Sequence, residues 1–192
     1  MASVDSQPKV AVVLSSTRPA RICPDIASWA LEHLADVSAL SYEPVDLALI
    51  DLPLLDEPLM GSLEQYEHEH TKKWSDLVNS FDGFFFVSPQ YNWGYPAALK
   101  NALDYLYYEW REKPASMLTY GTRGGNKCAD QLTQVLHGLH MNVLDARVEA
   151  AISKEAVDAD WQLIDPAQAL APALPQLLEV DAQFTAALTS DE

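Results

Sequence analysis

The chain predicts an α/β fold, a parallel sheet with helices on both faces. Three observations lead there. Apolar strand-like runs alternate with amphipathic helical stretches five times along 192 residues, the rhythm of strand, crossover helix and next parallel strand. After its turn, Phe81–Ser88 is almost continuously apolar, as a central parallel strand covered on both faces must be. Hydrophobic residues make up 48% and charged residues 21%, enough apolar material for a core and too much for a disordered chain. The length suits one compact domain over residues 1–192, since domains commonly run to about 100–200 residues.

Lys9–Ser15 is a short β-branched run that stops at Ser15-Ser16-Thr17-Arg18, so a buried strand feeds a polar loop. A helix follows, with Pro24 in its first turn and Ile26, Ala27, Ala30, Leu31 and Leu34 at helical spacing. A weaker strand lies around Tyr42–Asp46, and the stretch holding Pro53 and Pro58 is a loop. Residues 62–80 read as a helix with Trp74, Leu77 and Val78 turned inward. Pro89 ends the strand that begins after Phe81, and Pro96 starts a helix carrying Ala97, Ala98, Leu99, Ala102, Leu103 and Leu106. Ala115–Tyr120 is the next strand, and Gly124-Gly125 opens a helix that reaches about His140. Residues 146–152 form the last strand and Pro172–Leu188 the last helix, within an acidic C-terminal region spanning 146–192.

Charge narrows the function. With 28 acidic against 12 basic side chains the net charge is -16, which repels a polyanion and argues against a nucleic-acid partner. No apolar run approaches the ~18–20 residues of a membrane span. Met1–Asp5 has neither a basic n-region nor an apolar h-region, so a cytoplasmic location is expected. Cys23 and Cys128 are the 2 cysteines, too few for a disulfide scaffold or a zinc cluster, and reduced thiols are expected. Residues 141–192 carry 10 acids against 2 bases, a net -8 of the total -16, while Arg18, Arg21, Arg123 and Lys127 gather at strand ends.

In open parallel sheets ligands bind beyond the carboxyl ends of the strands, where strand order reverses. Three loops there have unusual compositions. Ser15-Ser16-Thr17-Arg18-Pro-Ala-Arg21 offers hydroxyls, two guanidinium groups and a nearby helix N-terminus, which is anion-binding chemistry; simple helix capping accounts for the same residues. Pro89-Gln90-Tyr91-Asn92-Trp93-Gly94-Tyr95-Pro96 places aromatic faces and amides where a planar ring with a polar edge could lie, or builds a satellite cluster or oligomer contact. The third, Thr119–Lys127, holds Gly121, Gly124 and Gly125 of the chain's 7 glycines. It is not a nucleotide P-loop, because Asn126 stands where the second Gly belongs and Cys128 where Ser or Thr would bind magnesium. A backbone-exposing turn before a helix remains, able to aim N–H groups at an anionic ligand edge.

The spacing Ser16-x-Arg18 after the first strand, Pro89-Gln-Tyr-Asn-Trp-Gly-Tyr-Pro-Ala-Ala-Leu-Lys-Asn101 after the third, and Tyr120-Gly-x-x-Gly-Gly125 after the fourth resembles the flavodoxin-like NAD(P)H-dependent FMN reductases. The fungal quinone and FMN reductases are the nearest members, and the resemblance covers about residues 9–150. It implies a three-layer sandwich around a five-stranded parallel sheet of order 2-1-3-4-5. It also implies FMN as cofactor, NAD(P)H as reductant and a quinone or similar small acceptor. By the same resemblance Ser16, Arg18 and Arg21, with backbone from Ile22 and Cys23, would hold the FMN phosphate. Pro89, Gln90, Tyr91, Asn92 and Trp93 would border the isoalloxazine, and Gly121, Arg123, Gly124 and Gly125 would line its pyrimidine side. Arg21 and Cys23 depart from the small hydroxyl residue and Asn of many family members. Family members commonly pair through the helices corresponding to 97–109 and 125–140, and Tyr105-Leu-Tyr-Tyr-Glu-Trp110 is more aromatic than one covered face requires. A homodimer is therefore expected.

Flavin chemistry needs no catalytic side chain, because the cofactor carries the hydride. One domain leaves no room for a second dinucleotide-binding fold, so reductant and acceptor are expected to use one pocket in turn, a ping-pong scheme. The alternative is a flavin-binding redox sensor that controls a protein partner, with weak reductase activity. Other conspicuous residues have plainer readings. His68 and His70, two apart on a helix, would point in different directions as a solvated face rather than a metal site. His137 and His140 read as structural or interface residues. Cys23 reads as a small buried residue, although a nearby helix N-terminus favours a thiolate. Lys100 and Asp104 form an i, i+4 pair.

Overall fold

The computed structural model describes residues 7–189. Met1–Asp5, on which the expectation of no leader rests, lie outside them, as do Asp191 and Glu192 of the acidic tail. The strands are β1 (Lys9–Leu14), β2 (Ser41–Asp46), β3 (Gly83–Pro89), β4 (Pro114–Gly121), β5 (Asn142–Val143) and β6 (Val148–Ala151). The helices are α1 (Cys23–Ala35), α2 (Leu47–Ile50), α3 (Glu69–Asn79), α4 (Ala97–Asp104), α5 (Asn126–Gly138), α6 (Pro166–Leu170) and α7 (Leu174–Thr189). All strand pairs are parallel, in the order β2-β1-β3-β4-β5, with β6 also on β4.

The expected order 2-1-3-4-5 is present, and its fifth place is filled by two pieces. β5 pairs with the start of β4 and β6 with its end, so they act as one strand broken at residues 144–147. Ser116 Oγ donates to Ala146 O across the break at 2.7 Å. Two residues are too few to leave an alternation pattern, which is why only the second piece is legible in sequence.

Alternating side chains divide the core between the sheet's two faces. Val10, Val12, Leu14, Phe85, Val87, Leu118 and Tyr120 pack against α1, α6 and α7 through Ile26, Leu34, Leu170, Leu177 and Phe184. Ala11, Val13, Phe84, Phe86, Ala115 and Met117 pack against α3, α4 and α5 through Trp74, Val78, Leu99, Leu103, Leu132 and Leu136. Every residue of β3 is buried, as its apolar run requires. Pro44 is accommodated because β2 is the sheet edge, where a strand residue can lack an N–H.

Two expectations are corrected. Residues 62–80 are not one helix: a 3-10 turn occupies Gly61–Leu63, Glu64 turns the chain at φ +51°, and α3 begins only at Glu69. Glu57 fixes that start by accepting from the N–H groups of Glu67 and His68 at 2.9 and 3.1 Å. The aromatic run 105–110 is consumed largely inside the protomer. Trp110 packs edge-on against Phe84 at 4.9 Å, and buried Tyr105 donates its hydroxyl to Pro53 O at 3.1 Å. Of that run, only Tyr108 is a large exposed apolar residue.

Candidate functional site

β1, β3 and β4 lie side by side and parallel, so the loops leaving them open on one edge of the sheet. They border a cavity of about 540 Å³, within the size range of small-molecule sites. Of the residues expected at the site, Arg18, Arg21, Ile22, Pro89, Gln90, Tyr91 and Gly121 line it. Ser16, Cys23, Asn92, Trp93, Arg123, Gly124 and Gly125 are not in its lining.

The first loop begins as an extension of the ladder, with Ser15 N–H donating to Val87 O at 3.0 Å. Ser15 Oγ is buried and has no hydrogen-bond partner among the described residues. Beyond it the N–H groups of Thr17, Arg18, Ala20, Arg21 and Ile22 donate to no group among the described residues. Ser16 is fully buried, and its hydroxyl meets Tyr91 OH at 2.9 Å, tying the first loop to the second. Arg18 lies over the Tyr91 ring at 5.2 Å and pairs with no carboxylate among the described residues. Arg21 is engaged, donating to both carboxylate oxygens of Asp46 and to Ser16 O.

Cys23 takes the plain reading. Its thiol is fully buried, donates to Val87 O at 3.5 Å, and is pushed up by burial, which outweighs the opposing effects of Ser16 N–H, Tyr120 and Arg21. The Tyr120 phenol is pushed up too, first by burial and then by Cys23.

The second loop makes a two-residue turn, in which Tyr91 N–H donates to Gly94 O at 2.8 Å and Gly94 N–H to Tyr91 O at 2.9 Å. Asn92 and Trp93 both carry positive φ, +48° and +73°, the requirement of a type I′ turn. This geometry divides the aromatics. Tyr91 faces the cavity, Tyr95 packs on the α4 and α5 side of the core, and Trp93 stands 68% exposed. Gln90 spans to the third loop, donating its N–H to Tyr120 O at 2.8 Å and accepting from Cys128 N–H in the first turn of α5 at 3.2 Å.

In the third loop Gly124 and Gly125 adopt φ +81° and +79°, and a Cβ on Gly125 would meet Thr119 Cβ and Tyr120 N at 3.0 Å. Glycine is required there for both reasons. Gly124 N–H donates to Gly121 O at 3.2 Å and is used within the turn, whereas Gly125 N–H has no partner among the described residues.

The opposite wall comes from a segment that no sequence motif marks. Ile152, Ser153, Lys154, Val157, Asp158 and Trp161 line the cavity from the segment after β6. Periodicity carries no trace of it, and a Trp within an acidic loop is its sole signal. The other conspicuous residues lie away from the cavity. Lys100 and Asp104 are paired as expected. His68 and His70 depart from expectation: α3 starts between them, their rings stack at 5.2 Å, and His70 bonds Asp56 at 2.9 Å. No cluster of three or more metal-ligating side chains occurs among the described residues. None of the described helices is long and apolar enough to cross a membrane.

Residues 8–156 match the NADPH-dependent FMN reductase family. The chain belongs to that family. It is thus an oxidoreductase that works with FMN and a nicotinamide reductant. The NAD(P)H-dependent FMN reductase of Saccharomyces cerevisiae is 47% identical over 148 residues, 71% of this chain and 77% of that one. A Schizosaccharomyces pombe protein of the same description is 40% identical over 181 residues, 93% and 89% of the two chains. More distant is a quinone reductase of Pseudomonas putida, 33% identical over 123 residues, 60% and 62% of the chains. Among solved structures, FerB, a flavoenzyme NAD(P)H:(acceptor) oxidoreductase of Paracoccus denitrificans, has the same fold with a TM-score of 0.66 at 24% identity, covering 91% of this chain and 94% of its own.

The donor set fits the cofactor of this family. An orphaned buried hydroxyl at Ser15, a run of free N–H groups and an unpaired Arg18 suit a dianionic phosphate. The Tyr91 ring, the Gln90 amide and the backbone of Gly121 suit a flat ring with a polar edge.

Proposed function

We propose that this protein is a cytoplasmic, homodimeric NAD(P)H oxidoreductase that passes two electrons from NAD(P)H to a quinone or similar flat acceptor through FMN. A single domain would do this. The observation that carries the proposal is the convergence of the three loops on one cavity that has anion-binding groups at the β1 loop and aromatic and amide groups beside it. FMN held there would supply the hydride-transfer chemistry.

The chain's own residues bind and orient. Thr17, Arg18 and Ile22, with Ser15 and Ser16, would hold the phosphate, while Arg21, in the cavity lining, braces the loop through Asp46 and Ser16 O. Gln90 fixes the distance between the second and third loops. Gly125 N–H, at the positive end of α5, would favour negative charge at the pyrimidine edge. Buried Cys23 behind the cavity and Tyr120 in its lining, both pushed up, stay protonated and neutral. Reductant and acceptor would occupy the same open cavity in turn. The relatives are named as reductases, which favours turnover over sensing.

The test is a visible spectrum of the protein reconstituted with FMN, followed by initial rates with NADPH and menadione varied together. A bound flavin spectrum and parallel double-reciprocal lines are expected. A protein that binds no FMN would end the proposal, and intersecting lines would end its ping-pong element.

A further inference from the structure

The segment after β6 is a small hairpin with its own anchor. Val157 bridges Leu163, Asp158 N–H donates to Gln162 O at 2.9 Å, and Asp158 Oδ1 accepts from Asp160 and Gln162 N–H, each at 2.9 Å. Leu163 is buried at 7% exposure, and its N–H reaches Asp25 Oδ2 of α1 at 3.3 Å. The hairpin is therefore tied to the core at its base and carries Trp161 at its tip.

Trp161 is unlike the buried tryptophans of the chain. It lines the cavity yet is 65% exposed, with φ held at +60°, a conformation unusual for a bulky residue. Its indole has no aromatic, cationic or hydrogen-bonding partner among the described residues. Leaving so large an apolar side chain uncovered forgoes burial that a flat ligand in the cavity would recover. Ile152 and Val157 add apolar surface to this wall beside the polar Ser153, Lys154 and Asp158.

The position of the wall separates it from the cofactor groups. The family match ends at residue 156, so Trp161 lies outside the matched stretch, whereas the three loops lie within it. We propose that Trp161 is a specificity-determining residue: the surface on which the flat ring of an aromatic electron acceptor lies. This rests on the reductase function proposed above.

The test uses FMN-reconstituted protein and the variants W161A and W161F. Menadione is titrated into the oxidised holoenzyme without reductant, and binding is read from tryptophan fluorescence and flavin absorbance. KM is then measured for menadione and for ferricyanide, an acceptor with no flat ring. For W161A, Kd and KM for menadione should each rise about tenfold, with FMN affinity and the ferricyanide rate within twofold of wild type; W161F should restore most of the loss. Unchanged menadione binding in W161A overturns the role of Trp161. An equal loss of FMN affinity overturns it too, because the indole would then hold the cofactor. Failure of the reductase function itself would be visible in the wild type, as absent FMN binding or absent NADPH oxidation, before any variant is compared.

Discussion

Arg21 grips Asp46 with both prongs of its guanidinium, Nη1 to Oδ1 at 2.7 Å and Nη2 to Oδ2 at 2.6 Å, with the two side chains 16% and 15% exposed. The pair joins the loop after β1 to the end of β2, and Arg21 also donates to Ser16 O. Burial pushes the Asp46 carboxyl up, but Arg21 and the Ala48 N–H outweigh it and hold the group below the ordinary carboxylate range. A depressed carboxylate pKa stabilises the fold above the unfolded value, about 3.9 for Asp, and that contribution disappears as pH falls through the folded value. D46N should therefore cost about 1–3 kcal/mol at neutral pH. The difference in Tm between wild type and D46N should close as pH drops below ~4. A gap that stays constant from pH 7 to pH 3 would show that the ion pair contributes nothing.

Arg18 and Arg21 should separate when truncated. Arg18 has no carboxylate partner among the described residues and stands at the cavity beside Tyr91, so R18A should weaken FMN binding about tenfold, worth ~1.4 kcal/mol, with little change in Tm. R21A should lower Tm first, because it leaves Asp46 without its partner. FMN titration followed by flavin fluorescence, beside thermal melts of the apoprotein, checks both. Equal effects of the two substitutions on FMN affinity at unchanged Tm would refute the division of labour.

Much of this was legible because buried parallel strands announce themselves. The Phe84–Val87 run, the glycines at 124 and 125 and the prolines at 89 and 96 each encode a local requirement that survives without tertiary context. What sequence missed depends on contacts between distant residues. Glu57 delays α3 by bonding residues ten and more positions away, Asp46 claims Arg21 across 25 positions, and the Trp161 wall reaches the cavity only because Leu163 docks on α1. Trp93 shows the same limit in reverse: the resemblance assigns it to the ring site, and a type I′ turn leaves it 68% exposed.

Gly125 offers a test of the third loop. An alanine there would adopt φ +79° with its Cβ at 3.0 Å from Thr119 Cβ and Tyr120 N, and backbone atoms cannot retreat as a flexible side chain can. The left-handed conformation alone costs about 1–2 kcal/mol, and the contact adds to it. G125A should lower Tm by several degrees and weaken FMN binding by displacing the start of α5. G138A is the control, since nothing lies within 4 Å of a Cβ there and its φ is not positive. A G125A protein as stable as wild type would mean that the turn adapts.

The dimer prediction rests on a different surface from the aromatic run that first suggested it. Leu49, Leu54 and Met60 are 82%, 83% and 70% exposed in the segment that follows β2. Asn101 of α4 pins this segment, accepting from Leu55 N–H at 2.9 Å and donating to Pro53 O at 2.7 Å. Exposed apolar side chains are thus held beside the helix that the resemblance assigns to pairing, where a partner protomer could cover them. Each protomer carries a net charge of -16, so association must work against like-charge repulsion, which salt screens over about 8–10 Å at 0.1–0.15 M. Sedimentation at micromolar concentration should therefore give a dimer that tightens as ionic strength rises from 20 to roughly 300 mM, the reverse of an interface held by ion pairs. L54E with M60E should shift the equilibrium to monomer by adding charge to the face, while leaving the fold intact because both side chains are already in water. A wild-type protein that sediments as monomer throughout this range would remove the homodimer from the proposed function.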